Sequence, residues 1–317
     1  MASAFSLSLG PRDDDSEIPE KNLMAQAAVG FIGLGLMGQG FTRRLIERGH
    51  RVVGFDVDAA KLRAAADWGV APAKSAADVA RSCDVVLVSV LGGGAKSAVE
   101  DVAFGLGGVA AAGRGEKKIF VDHSTTDLET TRRVAAALAN SCGMAFVDAP
   151  VSGGPGAAKT GTLAIMAGGD DAAIASIAPL MRDLGTLTHM GPVGTGQATK
   201  LVNQTLVLSN FCVLAEALRL AQAYGVDARK IPGALAAGHA GSNLLAAAFP
   251  QMIAEDFAPR GFARQVLKDL EMLQAAARDR HLAMPMASQA LTLFRLLVAA
   301  GGSELDATAV VTLYPKP

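Results

Sequence analysis

The sequence is poor in cysteine, in aromatics and in charge, and each shortage closes off a class of function. Three cysteines in 317 residues, Cys83, Cys142 and Cys212, are odd in number and far apart. That pattern fits neither a disulfide framework nor the paired short spacings of a zinc site, so the expectation is a reducing compartment and a cytoplasmic location. Charged residues make up only 19%, with 29 Lys+Arg against 30 Asp+Glu, which leaves no global basic field to hold phosphate backbones or anionic lipid. Neither nucleic acid nor membrane is expected as a partner. No stretch reaches the run of about eighteen apolar residues that spans a bilayer, and the most apolar segment, 201–214, is interrupted by Asn203, Gln204, Ser209 and Asn210. His50, His123, His189, His239 and His281 are scattered without metal-ligand spacing or a local nucleophile, so no metal is expected. No internal repeat is present.

What the chain does have is hydrophobic residues, 50% of the total, and a mean hydropathy of +0.31, a balance that excludes a disordered polymer. At roughly 150 residues per domain the length suggests about two domains. Thirty-five glycines fit either a flexible linker or a fold with many tight turns, and their positions decide between the two.

Residues 1–26 carry serine-rich and acidic stretches, including Asp13, Asp14, Asp15, Glu17 and Glu20, without sustained periodicity, and read as a disordered tail. They lack the positive n-region of a secretory signal and the arginine-rich, acid-poor character of a transit peptide. From Ala27 short β-branched runs alternate with alanine-rich amphipathic stretches, a pattern that predicts βαβ units and a mostly parallel sheet over residues 27–192. Strands are predicted at 29–32, 51–56, 85–90, 119–122, 145–148 and 163–167, with a weaker one near 187–190. After Pro192 the strand signal stops. Residues 193–317 read as an all-helical domain, entered through a helix of about 29 residues, or roughly 43 Å, whose apolar faces suggest burial between elements or subunits.

The first predicted strand runs into Gly33, Leu34, Gly35, Leu36, Met37 and Gly38, a GxGxxG run that opens a helix. In that context Gly33 serves the tight turn, Gly35 lets the backbone approach a pyrophosphate, and Gly38 lets the helix pack close, with the helix N-terminus favouring the anion. Asp56 closes the second strand 23 residues after Gly33, where a carboxylate accepts ribose hydroxyls and repels a 2′-phosphate. NAD is therefore expected as cofactor, while Lys61 and Arg63 keep NADP open. The fold class is thus α/β: a doubly wound, Rossmann-type dinucleotide-binding domain followed by an all-α domain. Val90 and Leu91, followed by Gly92, Gly93 and Gly94, and the segment Asp122 to Thr125 sit at further strand ends that feed the same crevice.

Hydride transfer to a carbonyl needs an acid–base group and an anchor for the rest of the substrate. Ser152, Gly153 and Gly154 follow the strand ending at Asp148 and offer a hydroxyl beside glycine N–H groups, which suits a carboxylate. Lys200 and Asn203 lie three residues apart at the start of the long helix. There the positive helix end and desolvation both push an ammonium toward its neutral form. Lys268 and Asp269 read as a neighbouring pair on a later helix, which by residues alone is no more than a surface ion pair.

Four motifs in order resemble the β-hydroxyacid dehydrogenase family, which includes 3-hydroxyisobutyrate dehydrogenases, tartronate semialdehyde reductases and L-threonate dehydrogenases. They are Gly30 to Gly38, Asp148 to Gly154, Gly194 through Lys200 and Asn203, and Lys268 to Leu270. The resemblance implies that Lys200 is the acid–base residue, that Ser152, Gly153 and Gly154 hold a substrate carboxylate, and that Asn203 orients substrate. It also implies that Thr125 touches the cofactor, that Lys268 lies near nicotinamide and substrate, and that the helical domain mediates dimers or tetramers. The chain departs from the pattern in its N-terminal tail and at Leu91 to Gly94, where relatives carry a more polar, proline-containing loop. The expected function is hydride exchange between NAD(H) and a small β-hydroxy acid or its semialdehyde; the alternatives are an imine reductase-like enzyme and a non-catalytic dinucleotide-binding sensor.

Overall fold

The computed structural model describes residues 27–91, 97–115 and 118–317; the expected tail and Gly92 to Gly94 lie outside them. In the N-terminal half the chain alternates as the pattern predicts. Strand β1 (Val29–Ile32) leads to helix α1 (Leu36–Glu47), then β2 (Val52–Phe55), α2 (Ala59–Ala66), β3 (Ala71–Pro72), α3 (Ala76–Ser82) and β4 (Val85–Val88). There follow α4 (Ala98–Phe104), β5 (Ile119–Asp122), α5 (Leu128–Cys142), β6 (Ala145–Asp148), β7 (Val151–Ser152), α6 (Gly154–Thr160), β8 (Leu163–Gly168), α7 (Asp171–Leu184) and β9 (Gly185–Gly191). Helix starts carry the acceptors that free N–H groups need: Asp58, Ser75, Asp127 and Asp170 cap α2, α3, α5 and α7.

Among the described residues the strands form one sheet in the order β3-β2-β1-β4-β5-β6-β8-β7, with β9 on β8. Strands β3 through β6 are parallel and β8 runs antiparallel to both β6 and β7. The reversal follows from chain length. Only α6 and its flanking turns separate β7 from β8, too little for a parallel crossover, whereas α7 carries the chain over from β8 to a parallel β9. Two apolar clusters cover the sheet's faces, one containing Phe31, Phe41, Leu45, Val121, Val147 and Ile165, the other Ile32, Val79, Val86, Val88, Phe120 and Phe146. Because consecutive β1 and β5 residues point to opposite clusters, β1 carries no charged residue and β5 is apolar up to its last residue, Asp122.

The second half is helical: α8 (Thr195–Ala223), α9 (Ile231–Leu235), α10 (Asn243–Ala254), α11 (Ala263–Asp279) and α12 (Pro285–Leu297), with a 3₁₀ turn at Ala228–Lys230 and a 3₁₀ helix at Ala307–Leu313. A third cluster built on Leu208, Ala215, Phe249, Leu270, Leu273, Phe294 and Val310 joins them. Helix α8 is long and apolar enough to cross a bilayer by length and composition alone. Its buried side is this core; its polar residues Lys200 and Gln204 are buried against protein partners.

Four elements, β3, α4, β7 and α6, have no counterpart in the sequence expectation. β3 and β7 have two residues each and leave no periodicity to read. The Gly153–Gly154 stretch, expected to offer N–H groups to a carboxylate, also opens α6, which proline near its first turn and a left-handed Gly161 cap permit despite three breakers in its sequence.

Candidate functional site

All the parallel strands from β1 to β6 end at one edge, and the order reverses between β1 and β4, the place where open α/β sheets bind ligands. The loop after β1 is built for close approach. Gly33 takes φ +95°, and a Cβ there would lie 2.2 Å from the Ser89 carbonyl oxygen; a Cβ on Gly38 would lie 2.0 Å from the Gly33 carbonyl. A Cβ on Gly35, by contrast, meets nothing within 4 Å. Gly35 caps α1 without a side-chain acceptor, so the N–H groups of Leu36, Met37 and Gly38 in the first turn are available to an anion. Glycine at 35 is therefore not demanded by the protein's own packing, which fits a ligand phosphate seated against it.

Asp56 follows β2 and accepts two backbone N–H groups, from Leu34 at 2.7 Å and Asp58 at 2.8 Å. It thereby ties the glycine turn to the end of β2 and keeps lone pairs for a ribose. Val57 beside it is exposed, and Lys61 sits 3.6 Å from the Asp58 carboxylate. Val90 donates its N–H to Ser124 Oγ at 3.0 Å, which fixes the loop after β4, and Leu91 is exposed at its rim.

The loop after β5 is held from beneath by a buried carboxylate: Asp122 accepts the Ser124 N–H at 2.9 Å and the Thr126 hydroxyl at 2.8 Å. Burial pushes Asp122 up to about 6 despite these bonds. Next to it His123 donates from Nδ1 to the Ala149 carbonyl at 2.7 Å, stacks on Phe41, and is pulled down to about 4 by burial, so it stays neutral. Its position is that of a packing residue. In the run from Asp122 to Thr126 only Thr125 is not fully buried.

Asp148, at the end of β6, accepts the N–H groups of Gly194 at 2.7 Å and Gln197 at 2.8 Å and so caps α8; burial pushes it up to about 6. This changes the electrostatic account of Lys200. The sequence argument combined a positive helix end with desolvation, but a carboxylate faces that helix end. Burial is the leading cause that pulls Lys200 down to about 8, with Asp269 opposing and Lys268 adding to the shift. Lys200 is 7% exposed and donates to the Val151 carbonyl at 2.7 Å, which places its ammonium beside Ser152, Gly153 and Gly154.

Lys268 and Asp269 are not the surface pair that residues alone suggest. Lys268 Nζ lies 2.9 Å from Asp269 Oδ1 and donates to the Thr125 carbonyl at 3.1 Å, bringing α11 onto the β5 loop. Asp269 Oδ2 accepts Gln204 Nε2 at 2.5 Å, and Gln204 Oε1 accepts Asn203 Nδ2 at 2.9 Å. A polar chain thus runs from Asn203 through Gln204, Asp269 and Lys268 to Thr125. The structure gathers Lys200, Ser152, Gly153, Gly154, Asn203, Lys268 and Thr125 on the strand-end side, with the Gly33 to Gly38 loop and Asp56 farther along the same edge. The sequence gives Gln197 and Gln204 no role and takes in Asp122, Asp148 and Asp269 only as members of motif segments; that these five hold the site in place is visible only in the structure. Among the described residues no group of three or more His, Cys, Asp or Glu could hold a metal.

Residues 28–194 match the family described as the NAD binding domain of 6-phosphogluconate dehydrogenase, and 194–314 the one described as NAD-binding of NADP-dependent 3-hydroxyisobutyrate dehydrogenase. The 2-hydroxy-3-oxopropionate reductase of Escherichia coli is 34% identical over 89% of this chain and 95% of its own. A probable 3-hydroxyisobutyrate dehydrogenase-like protein of Arabidopsis thaliana is 33% identical over 95% and 92%. Among solved structures, a Mycobacterium tuberculosis 3-hydroxyisobutyrate dehydrogenase with L-serine is 31% identical with TM-score 0.77, covering 91% of this chain and 99% of that one. Psf3 in complex with NADP+ and 2-OPP is 26% identical with TM-score 0.81, covering 91% and 100%. The chain binds a nicotinamide dinucleotide and belongs to the β-hydroxyacid dehydrogenase family.

Proposed function

We propose that the protein interconverts a small β-hydroxy acid and its semialdehyde or keto form with NAD(H), using Lys200 as the acid–base group. The observation that carries this reading is a buried lysine near neutrality, 2.7 Å from the Val151 carbonyl and beside the Ser152 to Gly154 segment. When bound, the nicotinamide supplies or accepts the hydride at the substrate carbon. In reduction Lys200 gives a proton from its ammonium to the carbonyl oxygen and is left as the amine; in oxidation the amine takes the hydroxyl proton. A value of about 8 lets one group serve both directions near neutral pH. Ser152 Oγ and the backbone of Gly153 and Gly154 hold the carboxylate, Asn203 orients the chain, and Lys268 adds positive charge at the junction with the cofactor.

Preference for NAD is supported by Asp56 and by the neutral Val57 beside it, with Lys61 drawn toward Asp58. A homo-oligomer is supported by α8: exposed Val202, Leu206, Val213 and Leu220 recur at 4, 7 and 7 residues and so line one side of a 3.6-residue helix. We assign that stripe to a second copy of this chain.

The deciding experiment mixes the protein with NADH and a panel of carboxylated semialdehydes, carboxylated ketones and cyclic imines. Turnover confined to carboxylated carbonyls supports the reading. Cofactor binding with no turnover of any, or turnover of imines alone, refutes it.

A further inference from the structure

We infer that Gln197 is a positioning residue that fixes the cofactor-contacting Thr125 and the acid–base Lys200 to one turn of α8. The inference rests on the role proposed above for Lys200 and on the cofactor contact that the family resemblance implies for Thr125. Gln197 is 1% exposed and is bonded through both its side-chain amide and its backbone N–H. Its side-chain amide donates from Nε2 to the Ser124 carbonyl at 2.8 Å and accepts at Oε1 from the Thr126 N–H at 3.1 Å, while its own backbone N–H is held by Asp148 at 2.8 Å.

The choice of side chain follows from the backbone it meets. The Ser124 carbonyl and the Thr126 N–H, one on either side of Thr125, both face the start of α8. Among the described residues no strand continues the ladder past Asp122, and a primary amide supplies one donor and one acceptor to these two groups. The intervening residue, Thr125, is thereby displayed, and it is the one residue from Asp122 to Thr126 that is not fully buried. The hold extends further: Ser124 Oγ accepts the Val90 N–H at 3.0 Å, so the loop after β4 is tied in as well. Asp122 supports Ser124 and Thr126 from the sheet, and Lys268 holds the Thr125 carbonyl.

Gln197 precedes Lys200 by three residues, close to one turn. The proton-transfer group and the loop under the cofactor are therefore referenced to a single rigid helical turn. Loss of that reference misplaces nicotinamide and lysine relative to each other without touching either, and a misplacement of about 1 Å is enough to cost rate up to about a hundredfold.

The test uses Gln197→Met, which keeps length and apolar contact but has neither donor nor acceptor of comparable strength. The expected result is a kcat per cofactor-binding site lowered about tenfold to about a hundredfold. The KM for the carboxylated carbonyl substrate stays within about twofold, and the deuterium isotope effect on its reduction by 4-deuterated NADH rises as hydride transfer becomes limiting. A merely structural role would lower the melting temperature and the fraction of binding sites but leave the rate per site and the isotope effect where they were; that outcome overturns the inference. Should Gln197→Met not fold, hydrogen exchange on the wild-type protein decides. Amides of 123–127 are expected to be protected together with the first turns of α8, and rapid exchange at 123–127 beside a protected α8 overturns the inference. Exchange needs no substrate, so a protein that turns nothing over would refute the proposed function while leaving this result readable.

Discussion

Alanine at Gly38 should cost stability, whereas alanine at Gly35 should leave stability nearly unchanged and cost cofactor affinity. A Cβ at Gly38 would approach the Gly33 carbonyl oxygen to 2.0 Å, the Gly33 carbonyl carbon to 2.9 Å and Phe31 Cε1 to 3.1 Å. Carbon–oxygen contacts normally open to about 3.3 Å, so α1 must retreat by about 1 Å, an overpacking cost of about 2–3 kcal/mol. At roughly 2 °C per kcal/mol for a chain of this size, the melting temperature falls by about 5 °C. At Gly35 a Cβ meets nothing within 4 Å, and the backbone at φ −69°, ψ −163° suits any residue. Gly35→Ala should therefore leave stability within about 0.5 kcal/mol of wild type, or raise it slightly by restricting the unfolded chain. Its added methyl nevertheless occupies the space a pyrophosphate needs, and affinity for NADH should drop by about tenfold or more, equivalent to about 1.4 kcal/mol per decade. Thermal melts and isothermal titration with NADH on both variants provide the measurement. Unchanged NADH affinity in Gly35→Ala would refute placement of the pyrophosphate in this turn. An equal loss of melting temperature in the two variants would refute the packing argument.

Three further outcomes follow from the geometry. Asp56→Ser with Val57→Arg should shift the ratio of kcat/KM values toward NADP by about tenfold or more, with some loss of affinity for both cofactors because Ser retains at most one of the two turn bonds; an unchanged ratio sinks the assignment. The rate of hydroxy acid oxidation should rise with pH up to about 8 and level off above it, and carbonyl reduction should fall above the same point, because oxidation needs the Lys200 amine and reduction its ammonium. A pH profile with its limb near the ordinary lysine value of 10.5 would show that burial does not act on Lys200 in this way. Light scattering should give a wild-type mass that is a multiple of 32.3 kDa, and Leu206→Glu with Leu220→Glu should reduce it to a single protomer; a wild-type monomer contradicts the assignment of the α8 stripe.

What the sequence made legible was the part of the molecule with local cause. Four apolar residues, a GxGxxG turn and an amphipathic helix specify β1, its loop and α1 within a dozen or so positions, and Asp56 announces itself by spacing. Lys200 stood out because glycines and apolar residues surround it in sequence. The residues that hold these groups in place have no such local mark. Asp148 reaches Gly194 and Gln197 across more than forty positions, and Gln197 reaches Ser124 and Thr126 across more than seventy. Their polarity becomes meaningful only once tertiary packing has buried them. The same holds for Lys268 and Asp269: neighbours in sequence look like a solvated ion pair, and only the approach of α11 to the β5 loop makes them part of the site. The helix-end argument for Lys200 needed correction for a related reason, since nothing local reveals that Asp148 faces that end. Elements of two residues, β3 and β7, are created by pairing partners and carry no periodicity of their own.

The central claim is that Lys200 moves the proton while the rest of the site binds the cofactor without it. Single-turnover reduction of a carboxylated semialdehyde by prebound NADH, in wild type and Lys200→Met, tests this directly. Burial penalises the Lys200 charge below about 8, a cost relieved only as pH rises toward 10.5, so the neutral variant should melt no lower than wild type at pH 7. NADH affinity should stay within about threefold, while hydride transfer slows by about a hundredfold to about ten-thousandfold. A folded Lys200→Met that binds NADH and oxidises it at the wild-type rate would contradict the account.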